Sequence, residues 1–302
     1  MKSDSQHPSR MWVWVAVSLA AVLALFLRPL AALLHRAFSD ENVSHALLIP
    51  FVSAWLLYDD RKRIFSCPSR DPLAASLFAI AAVGAAFWGF YSESRLQSPD
   101  ALSYFILSFV LACLAVFGLA LGRQTLRFGF FPFALLFLMI PWPSYVLNPV
   151  ISYLQYGSAD IASAIFSISG APVLREGLVF HLPRATIEVA PECSGIRSSM
   201  ALLVLALLIS HFAFRPLWKK ALFVIAGLFI MIVKNGIRIA TLTLLANYVD
   251  PGFLFGNLHR EGGVVFFLIG LVLLLPLYWF LRRGENGASS PIVVPALRPR
   301  GN

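Results

Sequence analysis

The chain has 302 residues, of which 59% are hydrophobic and only 13% are charged, and its formal net charge is +9. Soluble globular proteins carry about 25% charged residues, so this composition excludes a water-soluble domain and indicates a polytopic membrane protein. In a membrane protein, positive charge is typical of cytoplasmic loops, so no nucleic-acid partner is expected.

Apolar segments long enough to cross a bilayer, about 20 residues, follow one another along most of the chain. The first of them lacks a small-residue cleavage site, which predicts a retained helix rather than a signal peptide. One segment, Ser44–Tyr58, is short and would need a tilt or polar anchors to span. The predicted spans are Met11–Leu34, Ser44–Tyr58, Leu73–Tyr91, Ala101–Leu121, Phe128–Leu147, Ser194–Phe212, Ala221–Val249 and Val264–Leu281.

The basic residues indicate the orientation of these spans. With Ser44–Tyr58 counted as a span, every basic cluster falls on one face, which the positive-inside rule makes cytoplasmic. We therefore expect eight spans and cytoplasmic termini, with a tail at 1–10, one transmembrane domain at 11–283 and a disordered tail at 284–302. The basic clusters are Lys2 and Arg10; Arg61, Lys62, Arg63 and Arg70; Arg123 and Arg127; Arg215, Lys219 and Lys220; and Arg282 and Arg283.

The longest predicted extracytoplasmic segment lies between the fifth and sixth spans and has two parts. Residues 148–170 carry apolar side chains at helical spacing, which predicts an interfacial or re-entrant helix. Residues 171–192 alternate, with a turn at Leu182-Pro183-Arg184, which predicts a β-hairpin. The predicted fold is thus an all-α polytopic membrane protein of about eight helices, with a small helix and hairpin cap before the sixth span.

A cysteine lies in "PECSGIR", immediately before the sixth span. The N-terminus of a helix favours thiolate, so Cys193 is a candidate nucleophile, and Arg197, four residues on, would add a cation on the same helical face. Glu192 flanks the thiol as an accessory residue. Cys113, within a span, is typical of a core position, and Cys67 of an incidental loop thiol. Three scattered cysteines support neither a disulfide framework nor a metal cluster, and no cofactor is expected.

Polar residues interrupt the apolar seventh span at "IVKNGIRIATL". Ionisable groups within the membrane usually face a bundle interior or an aqueous cavity. Arg238 would lie about 25 Å along the helix from its cytoplasmic end, near the depth expected for Cys193. Asn235 shares its face with Arg238, which makes it an accessory candidate. Lys234 could instead extend its side chain to the lipid headgroups.

Two histidines lie at predicted outer ends of spans. Histidine suits proton transfer near neutral pH, and His259 in "FGNLHREGG" ends the last outer loop. His45, in "ENVSHALLIP", could join the same site. Cys193, Arg238 and His259 would then supply a nucleophile, an oxyanion or thiolate stabiliser and an acid–base partner. The absence of HExxH, GxSxG and P-loop patterns argues against a zinc protease, an α/β-hydrolase and an NTPase.

Three of these motifs resemble those of the exosortases, relatives of the archaeosortases. They are "PECSGIRSS", "NGIRIATL" and "LHREGGVVFF", and the resemblance extends from about Ser44 to Leu281. It implies that Cys193, Arg238 and His259 form the catalytic trio, and the histidine favours the bacterial branch of the family.

The resemblance also implies an activity and its partners. Exosortases are thought to cleave the C-terminal sorting tail of exported proteins, which carries a motif such as Pro-Glu-Pro, a transmembrane helix and a basic cluster. Cleavage would proceed through a thioester at the outer face of the cell (inner) membrane. The new carboxyl end would pass to a polysaccharide or lipid acceptor, or be released by water.

Other functions are compatible with the same residues. A plain intramembrane cysteine protease would resolve the thioester with water alone. A transporter or polysaccharide-export subunit would bind an anionic solute through Lys234 and Arg238 and would need no nucleophile. A structural scaffold for an export complex would tolerate loss of all three polar residues, Cys193, Arg238 and His259. Tolerance of Cys193→Ala would favour these last two functions.

Overall fold

Apolar helices make up most of the part of the chain that the computed structural model describes, which comprises residues 7–40, 43–66, 68–94, 100–183, 186–254 and 263–283. At positions 7–9, 192–193, 251 and 254 the description covers the backbone alone. The chain divides into two compact units, Met1–Val150 and Ile151–Asn302. Each unit is built around helices that expose apolar side chains, as a lipid environment allows.

The described residues of the first unit form seven α-helices before residue 136. Two of them, α5 (Pro72–Ser94) and α6 (Ala101–Phe128), pack closely because small residues lie at their contact. The Ser108 hydroxyl donates to the Ala82 carbonyl at 2.7 Å, and a Cβ at Gly89 would meet the Phe105 ring at 3.0 Å. Small residues permit such close helix contacts in membranes. The helices are α1 His7–Leu25, α2 Leu27–Ser39, α3 Ile49–Asp59, α4 Arg61–Ile64, α5 Pro72–Ser94, α6 Ala101–Phe128 and α7 Phe130–Leu135.

The first predicted span is bent. Helices α1 and α2 meet at Phe26 with an angle of 68° between them. Pro29 explains the break, because a proline ring clashes with the carbonyl four residues earlier, here that of Leu25, the last residue of α1. The sequence placed this region in one continuous helix, and that interpretation is wrong.

The fifth predicted span, Phe128–Leu147, is also wrong as a continuous helix. Helix α7 and a 3₁₀ turn, Leu136–Met139, are followed by a bend of 90° into the next helix, α8 (Ser144–Ser169). Pro141 and Pro143 lie in the break, where each removes a backbone donor and restricts the residue before it. The helix expected at 148–170 is therefore the continuation of a longer one.

Five helices in the described part are long and apolar enough to cross a membrane, and each coincides with a predicted span. The number rises to seven if each bent pair counts as one span. The segment Ser44–Tyr58 forms a short 3₁₀ turn followed by the 11-residue helix α3. The total of eight spans stays a prediction. The five helices are α5, α6, α9 (Ile196–Ala213), α10 (Leu217–Tyr248) and α11 (Gly263–Arg283).

The cap before α9 is a three-stranded antiparallel sheet rather than the predicted hairpin. Its strands are β1 Leu174–Glu176, β2 Val179–His181 and β3 Thr186–Glu188, in the order β1-β2-β3. Strands β2 and β3 pair on either side of the predicted turn at Leu182-Pro183-Arg184, of which Arg184 lies outside the described residues, and a turn with left-handed Gly177 joins β1 to β2. The alternating pattern in the sequence predicted strands, but it did not show that β1 would form a separate strand and pair with β2.

The sheet packs against helices of the second unit. The buried ring of Phe180 on β2 lies 5.2 Å from the ring of Phe166 on α8, measured between centroids. Val189, just after β3, and Ala240 on α10 belong to the same buried cluster. This apolar cluster holds Val189, the first residue after β3, against the helices, and so positions the segment that leads to α9.

Topology reporters can test the predicted orientation. Reporters fused after Lys62 and after Lys220 are expected to give a cytoplasmic signal, because both residues belong to basic clusters, and one fused after Gly170 an extracytoplasmic signal. Paired alkaline phosphatase and fluorescent protein fusions at each position would measure this. An extracytoplasmic signal at Lys62 would contradict the eight-span arrangement.

Candidate active site

The turn that carries Cys193 is held at its start by α8. The side-chain amide of Gln155 donates to the Val189 carbonyl at 2.6 Å, and the backbone N–H of Val189 donates to the Leu178 carbonyl at 2.9 Å. A 3₁₀ turn, Pro191–Ser194, follows, and α9 begins at Ile196. The structure thus confirms that Cys193 lies just before a long helix.

A left-handed glycine joins this turn to α9. Gly195 has a φ of +71°, a conformation that residues with a Cβ adopt only at a cost. A Cβ at this position would also lie 2.5 Å from Oδ1 of Asn235 on α10. Backbone conformation and space both require glycine here, and the contact brings "PECSG" against "KNGIR".

The same part of α10 approaches α8 closely. The Asn235 amide donates to the Ser158 hydroxyl at 3.0 Å, and both side chains are buried. A Cβ at Gly236 would meet Ile161 Cβ at 2.5 Å and the Ser158 carbonyl oxygen at 3.0 Å. Asn235 is therefore held between α8 and the Gly195 turn, and its accessory role stays a prediction.

Lys234 does not reach the lipid headgroups. Its side chain is 1% exposed, and its ammonium donates to the Ser198 hydroxyl of α9 at 2.5 Å. The Ser198 hydroxyl in turn donates to the Gly195 carbonyl at 3.0 Å. The interpretation of Lys234 as a lipid-facing residue is wrong, because the polar start of α9 lies within reach of its ammonium.

The two candidate arginines differ in exposure. Arg238 lies one turn beyond Lys234 on α10 and is half-buried, whereas Arg197, in the first turn of α9, is exposed. Cys193 and Arg197 do not share a helical face, because left-handed Gly195 separates the 3₁₀ turn from α9. The four-residue spacing argument for Arg197 fails for that reason, and its accessory role stays a prediction.

Ser194, next to Cys193, has a buried hydroxyl with no hydrogen-bond partner among the described atoms. Such a group is costly unless a ligand or water completes its hydrogen bonding. The turn therefore has hydrogen-bonding capacity that the described part of the chain leaves unused.

The remaining candidates are placed differently. His259 lies outside the described residues, as do the side chains of Glu192 and Cys193, so their roles stay predictions. His45 belongs to the first unit, where its Nε2 lies 3.1 Å from the Leu138 carbonyl oxygen, and its membership of the site is also still a prediction. Within the described ranges, no group of three or more His, Cys, Asp or Glu residues could hold a metal ion.

Sequence reasoning missed the serines and the glutamine that organise the site. Ser198 and Ser158 bind Lys234 and Asn235, and Gln155 positions the chain before Cys193. Polar residues within apolar helices were a usable signal, because such groups need a partner inside the bundle. Their spacing along the chain does not reveal which partner each one has.

Comparison with known families gives one match, over residues 35–276, to the family described as Transmembrane exosortase (Exosortase_EpsH). The matched region contains Cys193, Arg238 and His259. No curated protein and no solved structure matches the chain significantly.

Proposed function

Because the chain belongs to the transmembrane exosortase family, we propose that it is a cysteine transpeptidase or peptidase that removes the C-terminal sorting tail of exported proteins. Its substrates would carry a short motif such as Pro-Glu-Pro, a transmembrane helix and a basic cluster. The acceptor would be an extracellular polysaccharide, a lipid or water. The reaction would occur at the extracytoplasmic face of the inner membrane, with both termini of the enzyme in the cytoplasm.

One observation carries this proposal. Gly195 lies against Asn235, so the turn that contains Cys193 is built directly on the segment of α10 that contains Arg238. The proposed nucleophile and the proposed cation, 45 positions apart in sequence, would thereby come from two elements in contact, which supports a role for both in covalent catalysis. The buried amide of Asn235, bound to Ser158, keeps the two elements in register.

The proposed reaction has two steps. In the first, the Cys193 thiolate attacks the carbonyl carbon of the scissile bond, and the carbon–nitrogen bond breaks as His259 gives a proton to the leaving amine. In the second, an acceptor amine or water attacks the thioester carbonyl, gives a proton to His259, and the carbon–sulfur bond breaks to release the thiolate. Arg238 would stabilise the oxyanion of each tetrahedral intermediate, or bind a substrate carboxylate.

Arg238→Lys tests the role of the arginine. Lysine keeps the charge but loses the planar, forked donor set, so we expect processing to fall at least about tenfold. Arg283→Lys, in the last turn of α11, is the matched control and should process normally. The measurement is the rate at which a tailed substrate is cleaved by purified enzyme in lipid vesicles.

The mass of the product distinguishes the two outcomes of the second step. A product heavier than the hydrolysed protein by the mass of an acceptor indicates transpeptidation, and the hydrolysed mass indicates a peptidase. If neither product forms and Arg238→Lys instead alters uptake of an anionic solute, the transport function that uses Lys234 and Arg238 replaces this proposal.

A further inference from the structure

Lys234 is a buried cation that the proposed reaction does not use. It extends from the middle of α10, and the methylene groups of its side chain pack against Gly270 of α11. A Cβ at Gly270 would meet Lys234 Cδ at 3.3 Å and Leu202 Cδ2 at 3.4 Å. Burying an ammonium group is costly, and lysine within a membrane helix usually has a function.

The ammonium acts on the first turn of α9 through one serine. Lys234 Nζ donates to Ser198 Oγ at 2.5 Å, and Ser198 Oγ donates to the Gly195 carbonyl at 3.0 Å. The same carbonyl accepts the Ser199 amide at 2.9 Å, so it has two donors. The chain of hydrogen bonds thus ends on the peptide group that joins Gly195 to Ile196, two residues after Cys193.

A charged donor at one end of such a chain polarises the groups beyond it. The Gly195 carbonyl belongs to the same peptide group as the Ile196 amide, so polarising the carbonyl strengthens that N–H as a donor. Ile196 is the first residue of α9, where the helix dipole is already positive. Lys234 therefore adds to a positive field at the start of this helix.

In the described part of the chain, the charged groups on the helices around Lys234 are mostly cations. Arg238, one turn away on α10, and Arg197 on α9 are both cations. On α8 the Asp160 carboxylate is paired with Arg175 at 2.8 Å, and α11 carries charge only in its last turn. Among the described residues, no carboxylate forms an ion pair with Lys234.

We propose that Lys234 is a positioning residue for the cysteine chemistry, which holds the first turn of α9 through Ser198 and directs positive charge toward Cys193. This proposal rests on the proposed function. The thiolate of Cys193 and the oxyanion formed after attack are both anions, and both are stabilised by a fixed, buried cation whose charge is relayed through a helix N-terminus.

Four variants separate this role from simple packing. Lys234→Met keeps length and apolar contact but removes the ammonium, and Ser198→Ala removes the relay while keeping the lysine. Ser198→Thr keeps a hydroxyl and should restore the relay. Lys219→Met is the control, because Lys219 is a second buried lysine of α10, 9% exposed, whose ammonium binds the Leu281 carbonyl at 2.9 Å.

The first readout is the alkylation rate of Cys193 against pH, in full-length protein whose Cys67 and Cys113 have been replaced by serine and alanine. In Lys234→Met and in Ser198→Ala the midpoint is expected to rise by about one pH unit, so the rate at neutral pH falls about tenfold. The double variant should shift no further than either single one, since both break the same relay. Ser198→Thr and Lys219→Met should keep the wild-type midpoint.

The second readout is tail processing, where kcat should fall on the order of 10²-fold in Lys234→Met with little change in KM. An unchanged alkylation midpoint in folded Lys234→Met, or additive shifts in the double variant, would overturn the proposal. If Lys234→Met does not insert, Ser198→Ala decides alone. The alkylation rate can be measured without turnover of a substrate. A failure of the proposed function, seen as processing by Cys193→Ala, is therefore distinguishable from a failure of the role proposed for Lys234.

Discussion

Cys193→Ala is expected to abolish tail processing while the protein still inserts and folds. The thiolate is the proposed nucleophile, and without it no thioester can form. Alanine is smaller than cysteine and carries no charge, so the turn before α9 should keep its backbone. Cleavage of a tailed substrate by purified enzyme in vesicles measures the loss, and Cys113→Ala, a cysteine within α6, is the matched control with normal activity.

Trapping the intermediate gives the stronger form of this test. A covalent adduct between enzyme and substrate fragment should accumulate in the wild type, be released by hydroxylamine, and be missing from Cys193→Ala. Cys193→Ser should bind substrate but be nearly inactive, because a hydroxyl ionises far less readily than a thiol. Full processing without the thiol, or an adduct that survives its removal, would exclude the cysteine mechanism.

Gly195→Ala is expected to have the second largest effect, with a loss of activity on the order of 10²-fold or more. The new Cβ would lie 2.5 Å from Asn235 Oδ1 and 2.9 Å from Asn235 Cγ. Asn235 cannot move aside cheaply, because its amide is bound to Ser158 in a fully buried contact. The turn would shift instead, and Cys193 with it. Processing rate and thermal unfolding in detergent would both be measured.

Gly170→Ala is a control that separates the backbone strain of a left-handed alanine from the steric clash with Asn235. Gly170 has a φ of +67°, close to that of Gly195, but a Cβ there would meet nothing within 4 Å. It should therefore cost only the left-handed conformation, about 1–2 kcal/mol, and leave processing intact. Adding Asn235→Ala to Gly195→Ala should recover part of the lost stability. If the Gly170 and Gly195 variants behaved alike, the contact with Asn235 would not matter.

The membrane architecture follows largely from the sequence. Long apolar runs predict α5, α6, α9, α10 and α11, because a bilayer imposes a minimum length on any helix that crosses it. The two bent regions escaped this reasoning. Hydropathy averages over a window, whereas Pro29, Pro141 and Pro143 act on single backbone donors and carbonyls, so the breaks they cause leave the apolar average unchanged.

The motifs and the family could also be read from the sequence alone. "PECSGIR", "NGIRIATL" and "LHREGGVVFF" are short local patterns, and the family match confirms the assignment that they suggested. The position of Cys193 before a helix is equally local, since the apolar run that begins at Ile196 marks where α9 starts. Each of these features depends only on residues close together in the sequence, so the sequence is enough to predict it.

Only the tertiary structure decided which polar groups meet. Lys234 and Ser198 are 36 positions apart in sequence, and Asn235 and Ser158 are 77 apart. Hydropathy and helical spacing allowed Lys234 to face lipid as readily as the bundle, and nothing local to Gly195 names Asn235 as its neighbour. The packing of α8, α9 and α10 brings one partner to each of these groups, and the contact is kept because a buried donor without an acceptor is unstable.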